Sequence, residues 1–378
     1  MRRRFHHATV TPRRIARPQR GPANQPTNRV ANRVAISIVE LLVALAIIGL
    51  LMALLVPAIS QVRLLAQRTR CVNNLRNISF GLTQFDHLHK RLPASGTYFD
   101  PDNQPSEPRH SWAVSILPWI NQGNLYDQWD LEQAFNSPHN FPLTQTSIPI
   151  YQCPLDPSLS GGSHGDQSYA VNGGVGFTHR TREGVADCPI DREGKQIDFN
   201  GDGLTCTGTT TDQLDQQLFK RMGLFFLENW KQGQTKRHYS IAEIIDGTSQ
   251  TFLVSENIRT GFNPDQLNHS FADPHPRRSA FYIGSPCENG DCTAASVNYQ
   301  LCNQGLNRIN GGLTSPEGSS PVPNSLHEGG VNMAYADGHV AFLSESIDGA
   351  VYAALASSQG LLLDKTSLQQ VIIDGDFF

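Results

Sequence analysis

Between Ile36 and Ile59 the chain reads ISIVELLVALAIIGLLMALLVPAI, 24 residues in which Glu40 is the only charge. As a helix this run extends roughly 36 Å, enough to cross a bilayer core of about 30 Å with some tilt. The sequence therefore predicts a membrane span. An acid inside such a helix costs on the order of 2.5–3.5 kcal/mol. Glu40 is thus expected to meet a positive partner within the membrane, and a neighbouring chain's amino terminus is the nearest candidate.

Residues 1–35 contain nine arginines, no lysine and no acid, together with prolines and asparagines that discourage structure. They outnumber the four arginines just after the span (Arg63, Arg68, Arg70 and Arg76), which predicts a cytoplasmic amino terminus and an exported remainder. Without residues 1–35, 21 basic residues face 34 acids, a net charge of −13. That balance excludes nucleic acid as a partner of the exported part. Six cysteines (Cys153, Cys188, Cys206, Cys287, Cys292 and Cys302) fall in loop-rich exported sequence, as an oxidising compartment predicts. Cys71 makes the number odd, so one thiol stays free or pairs between chains. A Cys188–Cys206 bond would close one insertion. The alternative is a set of reduced, buried thiols.

Beyond Pro57 the pattern turns amphipathic. Val62, Leu65, Val72, Leu75, Ile78, Leu82 and Phe85 predict one helix that leaves the membrane and ends at Leu92-Pro93. The stretch from Ser111 to Asp130 reads as a short helix with a turn at 121–124. Strands are predicted at Ile148–Cys153, Gln167–Asn172, Gly223–Leu227, Thr251–Glu256 and Phe281–Ile283, bounded by Gly, Pro, Asn or Asp. Val331–Tyr335 and Val340–Leu343 flank Asp337-Gly338, a pair suited to positive backbone dihedrals, and predict a hairpin. The expected organisation is a basic leader (1–35), a membrane half-helix (36–59) and an amphipathic half-helix (60–92). A β-rich exported domain (93–358), with an insertion at about 173–221 and surface loops at about 261–320, and a tail (359–378) complete it.

The string A-I-S-I-V-E at residues 35–40, followed by the greasy helix with Gly49 and Pro57, resembles the leader-peptidase site of type IV prepilins and pseudopilins. Ala35, Ile36 and Ser37 stand where glycine, phenylalanine and threonine are usual. The strings RCVNNLRNISFGLTQFDHLHKRLP, SWAVSILPWINQGNLY, YQCPLDP, SYAVNGG, IAEIIDGTSQTFLVSEN and SLHEGGVNMAYADGHVAFLSESID resemble, in order, the blocks of a large bacterial group of pilin-like proteins. The last contains His327, nine residues, then Asp337-Gly338, the H-x9-DG signature of that group. The resemblance spans most of residues 36–358. It implies cleavage between Ala35 and Ile36, methylation of the new Ile36 amine, and Glu40 as fifth residue of the mature chain. It also implies a Cys71–Cys153 disulfide and an α+β, pilin-like fold in which a long amino-terminal helix packs on an antiparallel sheet.

Other candidate sites are weighed by their chemistry. His327 and Asp337 could form a base or a metal site, but Asp337-Gly338 makes a turn by itself and His327 sits where a loop enters the strand, so a structural hydrogen bond explains both better. Asp198, Asn200, Asp202 and Gly203 form D-x-N-x-D-G, the opening of a calcium loop. The position of its closing acid is Thr209, Cys206 fills another ligand slot, and Asp212 or Asp215 would have to close it; the alternative is a solvated turn. His87, His89, His269 and His275 lack zinc spacing. Trp112, Trp119 and Trp129 read as core rather than a sugar platform. Gly247-Thr248-Ser249 lacks the G-x-S-x-G spacing, so no hydrolase nucleophile is expected.

The sequence thus reads as a structural, non-enzymatic subunit of the bacterial inner membrane, single-pass, needing no cofactor beyond an optional calcium ion. Its implied partners are a prepilin peptidase and methyltransferase, other pilin-like subunits, lipid, and the platform and ATPase of a type II secretion or type IV pilus-like machine. Two rivals stand. One is a membrane-tethered module that never polymerises and uses the insertion, with or without calcium, to hold an extracellular ligand. The other is an enzyme secreted after signal-peptidase cleavage behind Val56-Pro57-Ala58, which the proline opposes.

Overall fold

The computed structural model describes residues 37–99, 107–157, 159, 165–178, 189–191, 194–205, 213–229, 239–260, 270–316 and 320–373. The leader, the expected Ala35/Ile36 junction, and Cys188 and Cys206 lie outside the described residues. One helix, α1 (Ile38–His89), takes up both the apolar run and the amphipathic stretch after it. Contacts divide the chain into Met1–Ile59 and Ser60–Phe378. In the first unit residues 38–59 are helical and exposed throughout, and α1 is long and apolar enough to cross a membrane. Pro57 lies inside the helix and forgoes one backbone hydrogen bond.

In the second unit α1 buries Cys71, Leu75, Ile78, Leu82 and Phe85, a spacing of fours and threes that keeps them on one face. Each such side chain contributes about 2 kcal/mol of apolar burial. The seam does not begin at Val62 as the periodicity suggests: Val62 and Leu65 are 65% and 64% exposed. The reason is the extent of what covers the helix. Full burial starts where Cys153 meets Cys71, with the Asn74 amide donating to the carbonyls of Pro149 and Gln152. It continues over Gly81, where a Cβ would sit 3.1 Å from Ile120, and ends where Trp119 meets Phe85 edge-on. Asp86 then receives the Ser240 hydroxyl and the Ile241 N–H, tying the helix end to a capped turn.

The strands are β1 (Gly96–Phe99), β2 (Glu107–Ser111), β3 (Tyr169–Val175), β4 (Phe177–Thr178), β5 (Pro189–Ile190), β6 (Leu227–Asn229), β7 (Phe252–Glu256), β8 (Ala280–Ile283), β9 (Gly330–Tyr335) and β10 (Val340–Ser344). The main sheet runs β10-β9-β7-β3-β8, antiparallel except for the parallel pair β3 and β8. A second sheet, β2-β1-β6, is likewise mixed. Parallel neighbours require long crossovers, and here entire loop blocks separate the paired strands in sequence. β3, β7 and β9 are buried at every residue, so the centre of the main sheet is covered on both faces, while the edge strand β10 is only partly buried. Tyr169, Val171 and Leu253 join the α1 side, while Ala170, Phe252 and Tyr335 join Phe199, Phe219 and Tyr352 of the other side. The fold is α+β, a long apolar helix with mixed sheets and loop-rich additions.

Two predicted strands are corrected. Ile148–Cys153 is a turn of 3-10 helix at Pro149–Tyr151, because Pro149 has no N–H for a ladder and starts such a turn readily. Gly223–Leu227 becomes a strand only from Leu227, since the N–H groups of Leu224 and Phe225 both donate to the Asn172 carbonyl. In the β9–β10 hairpin Gly338 alone of the expected pair has positive φ, 89°. Gly338 N–H returns to the Tyr335 carbonyl, and Tyr335 N–H donates to the His339 carbonyl. This is a three-residue loop rather than a two-residue one. Residues 112–126 form three short helices; left-handed Asn121 separates the last two, and the expected turn at 121–124 is confined to Asn121 and Gln122, since Gly123 and Asn124 are helical.

Candidate functional site

Glu40 lies in the first turn of α1, where a carboxylate complements the positive end of the helix. Its Oε2 accepts the Ser37 N–H at 2.9 Å, and the side chain is otherwise exposed, as are all its apolar neighbours from Ile38 to Ile59. Among the described residues, this end of the molecule is an exposed apolar helix with one acid on it.

The H-x9-DG block does not bring its histidine to its aspartate. Asp337 sits in the hairpin loop, where Oδ1 receives the His339 N–H at 3.0 Å and its ring Nδ1 at 2.6 Å. His327, 7% exposed, instead places Nε2 3.1 Å from Oε1 of Glu256 at the end of β7. Glu256 is fully buried, a costly place for a carboxylate unless every lone pair is used. Here it is met. Oε1 also receives the Asn332 amide at 3.0 Å, and Oε2 receives the Asn332 backbone N–H at 2.8 Å. The Ser325 hydroxyl accepts the His327 N–H and donates to the Gly330 carbonyl, fixing the loop that carries the histidine into β9.

The Cys71–Cys153 disulfide lies against this pair, its Cα atoms 5.4 Å apart. The two sulfurs, a Glu256 oxygen and a His327 nitrogen all lie within 4.8 Å of one another, and all four residues are buried. A second disulfide, Cys287–Cys292, closes a tight loop with Cα atoms 4.8 Å apart. Cys302 is a free, buried thiol, pushed up by burial and therefore unreactive. Glu256 was not found from the sequence. Its only signal in the sequence is a glutamate closing a run, Phe252–Glu256, whose other residues are apolar except Ser255.

The D-x-N-x-D-G turn is folded on itself. Asp198 accepts the N–H groups of Gly201 and Gly203 at 2.6 and 2.7 Å, Asn200 that of Asp202, and Asp202 that of Leu204. Asp215, one of the two acids considered for closing the loop, reaches it from the helix Gln213–Arg221, with Oδ1 accepting from Phe199 and Asn200. Thr209, Asp212 and Cys206 lie outside the described residues. Trp112 and Trp129 are buried; Trp112 donates to the Ser279 carbonyl at 2.7 Å and meets Tyr151 edge-on.

A family described as "Protein of unknown function (DUF1559)" matches residues 60–350. No curated protein matches the chain, and no solved structure does.

Proposed function

Because the chain belongs to the family described as protein of unknown function (DUF1559), whose description names no activity, we propose a function from the chain's own anchor and fold. It is a structural, non-enzymatic pilin-like or pseudopilin-like subunit. It is cut between Ala35 and Ile36 by a prepilin peptidase, methylated at Ile36, and assembled through its amino-terminal helix in a type II secretion or type IV pilus-like system.

The observation that carries this reading is Glu40. A single acid on 24 apolar residues costs on the order of 2.5–3.5 kcal/mol in a bilayer, and within its own chain it gains one hydrogen bond from the described residues. The cleaved amine of a neighbouring subunit supplies the missing cation, so assembly itself lowers the burial cost and sets the axial register. Val62 and Leu65, exposed beyond the span, extend the surface that neighbours can cover. The chain is then a single-pass protein of the bacterial inner membrane, amino terminus inside and the folded unit exported.

The test is Glu40→Ala in cells. That variant should reach the membrane in normal amounts, yet its cross-linking to other pilin-like subunits should fall at least tenfold. Mass spectrometry of wild type should find methylated Ile36 as first residue. Unchanged cross-linking, or a retained arginine-rich leader, overturns the proposal.

The approach of Asp215 to the Asp198 turn favours a second reading, a tethered binding module that uses calcium and does not polymerise. Calcium should then raise the melting temperature by several degrees and a chelator reverse the rise. Melting that is indifferent to both disposes of that ion.

A further inference from the structure

We propose that Cys71, Cys153, Glu256 and His327 form a tetrahedral zinc-class metal site that opens to the ion when the Cys71–Cys153 disulfide is reduced. The four residues come from four separate segments: mid-α1, the turn after Pro149, the end of β7 and the loop entering β9. Their donor atoms nevertheless converge within 4.8 Å, all buried. Two thiolates, an imidazole nitrogen and a carboxylate oxygen are a donor set suited to Zn2+.

The distances suit it too. Zn–N and Zn–O bonds of about 2.0 Å put a tetrahedral N···O edge at about 3.3 Å, and His327 Nε2 already stands 3.1 Å from Glu256 Oε1. Thiolates on bonds of about 2.3 Å stand roughly 3.8 Å apart, a separation that cysteines with Cα atoms 5.4 Å apart reach by rotating their side chains. The Asn332 N–H on Glu256 Oε2 would hold the carboxylate's second oxygen while the first binds the ion.

The disulfide and the ion exclude each other. A dithiol or phosphine reductant supplies two electrons, two protons are taken up, the S–S bond breaks and two thiols remain. Zn2+ then displaces both thiol protons to solvent, and the His327 ring proton resides on Nδ1 so that Nε2 is free to bind. The bound set, two thiolates, one carboxylate and the ion, has a net charge of −1.

The test uses the full chain in detergent, reduced with a phosphine and titrated with Co2+ alone, then with Zn2+ alone in competition. One Co2+ per chain should bind with thiolate-to-cobalt charge transfer and tetrahedral visible bands, and both should vanish on reoxidation. His327→Ala and Glu256→Gln keep every cysteine, so each should weaken binding at least tenfold if the site is the one described. Should either variant misfold by circular dichroism, X-ray absorption of the zinc-loaded wild-type chain decides: two sulfur and two nitrogen or oxygen neighbours are expected. No bound metal, a sulfur-only shell, or folded variants that bind as tightly as wild type overturn the proposal and leave a buried disulfide beside a histidine–glutamate pair.

Discussion

Replacing both members of one disulfide by alanine separates the topology of the chain from its packing. Cys71–Cys153 joins residues 82 apart in sequence, and Cys287–Cys292 residues only 5 apart. A crosslink removes loop-closure entropy from the unfolded chain in proportion to the logarithm of the loop it closes. On that relation Cys71→Ala/Cys153→Ala costs about 4.5 kcal/mol and Cys287→Ala/Cys292→Ala about 2 kcal/mol. The packing losses are matched, because all four cysteines are buried to within 4%, so they cancel in the comparison. The two loops do not overlap in sequence, and the combined variant should lose the sum to within a few tenths of a kcal/mol. Guanidinium unfolding of the detergent-solubilised chain, followed by tryptophan fluorescence, reads both terms. The midpoint gives the cost, and the slope should steepen more for the long-loop variant because its unfolded chain exposes more surface. A gap between the two variants below about 1 kcal/mol refutes the reasoning.

Burial pushes His110 down to about 4, with Glu228 opposing and Arg109 reinforcing the shift. A histidine that is neutral when folded and titrates near 6.5 when unfolded contributes stability that is fully present above pH 6.5 and lost as pH falls toward 4. The loss is about 3 kcal/mol, and it should appear as a steeper fall in melting temperature over that window than in His110→Gln. Gly174 has φ +92° and a Cβ there would sit 2.5 Å from the Met222 carbonyl, whereas Gly247 has φ +100° and open space around it. Gly174→Ala should therefore cost more than about 2 kcal/mol and Gly247→Ala about 1 kcal/mol in the same unfolding assay; equal costs would remove the steric argument.

What the sequence made legible was whatever rests on near neighbours in the chain. The α1 periodicity, the Asp337-Gly338 turn, the boundaries of β7 and β9 and the break at Asn121 each depend on a few adjacent residues. Ile148–Cys153 reads as a strand because its apolar content suits one, whereas a single feature decides against it, the absent N–H of Pro149. The apparent start of the helix seam at Val62 failed for a different reason. Periodicity states which face is apolar, not how far the covering chain reaches, and that reach is set by where Cys153 meets Cys71. Glu256 could not be assigned a partner at all, because His327 lies 71 residues away and joins it only through the β7–β9 ladder. The pairing of β3 with β8 is hidden for the same reason, with the loop-rich block before Ala280 standing between them.

Glu40 and Glu256 are two carboxylates in surroundings that disfavour charge, and the chain treats them oppositely. Around Glu256 it supplies a histidine, a backbone N–H and an amide, so that a fully buried acid has its oxygens occupied by its own domain. Around Glu40 the described residues supply one N–H, from Ser37, and an exposed apolar surface. A fold able to satisfy an interior carboxylate so fully would have no difficulty placing an arginine one turn from Glu40, and an i, i+4 partner on α1 would suffice. Instead Leu41 to Val62 contains no cationic side chain. On the proposed function the charge is left for a neighbouring subunit to neutralise, which is why that reading rests on Glu40 and not on the buried pair.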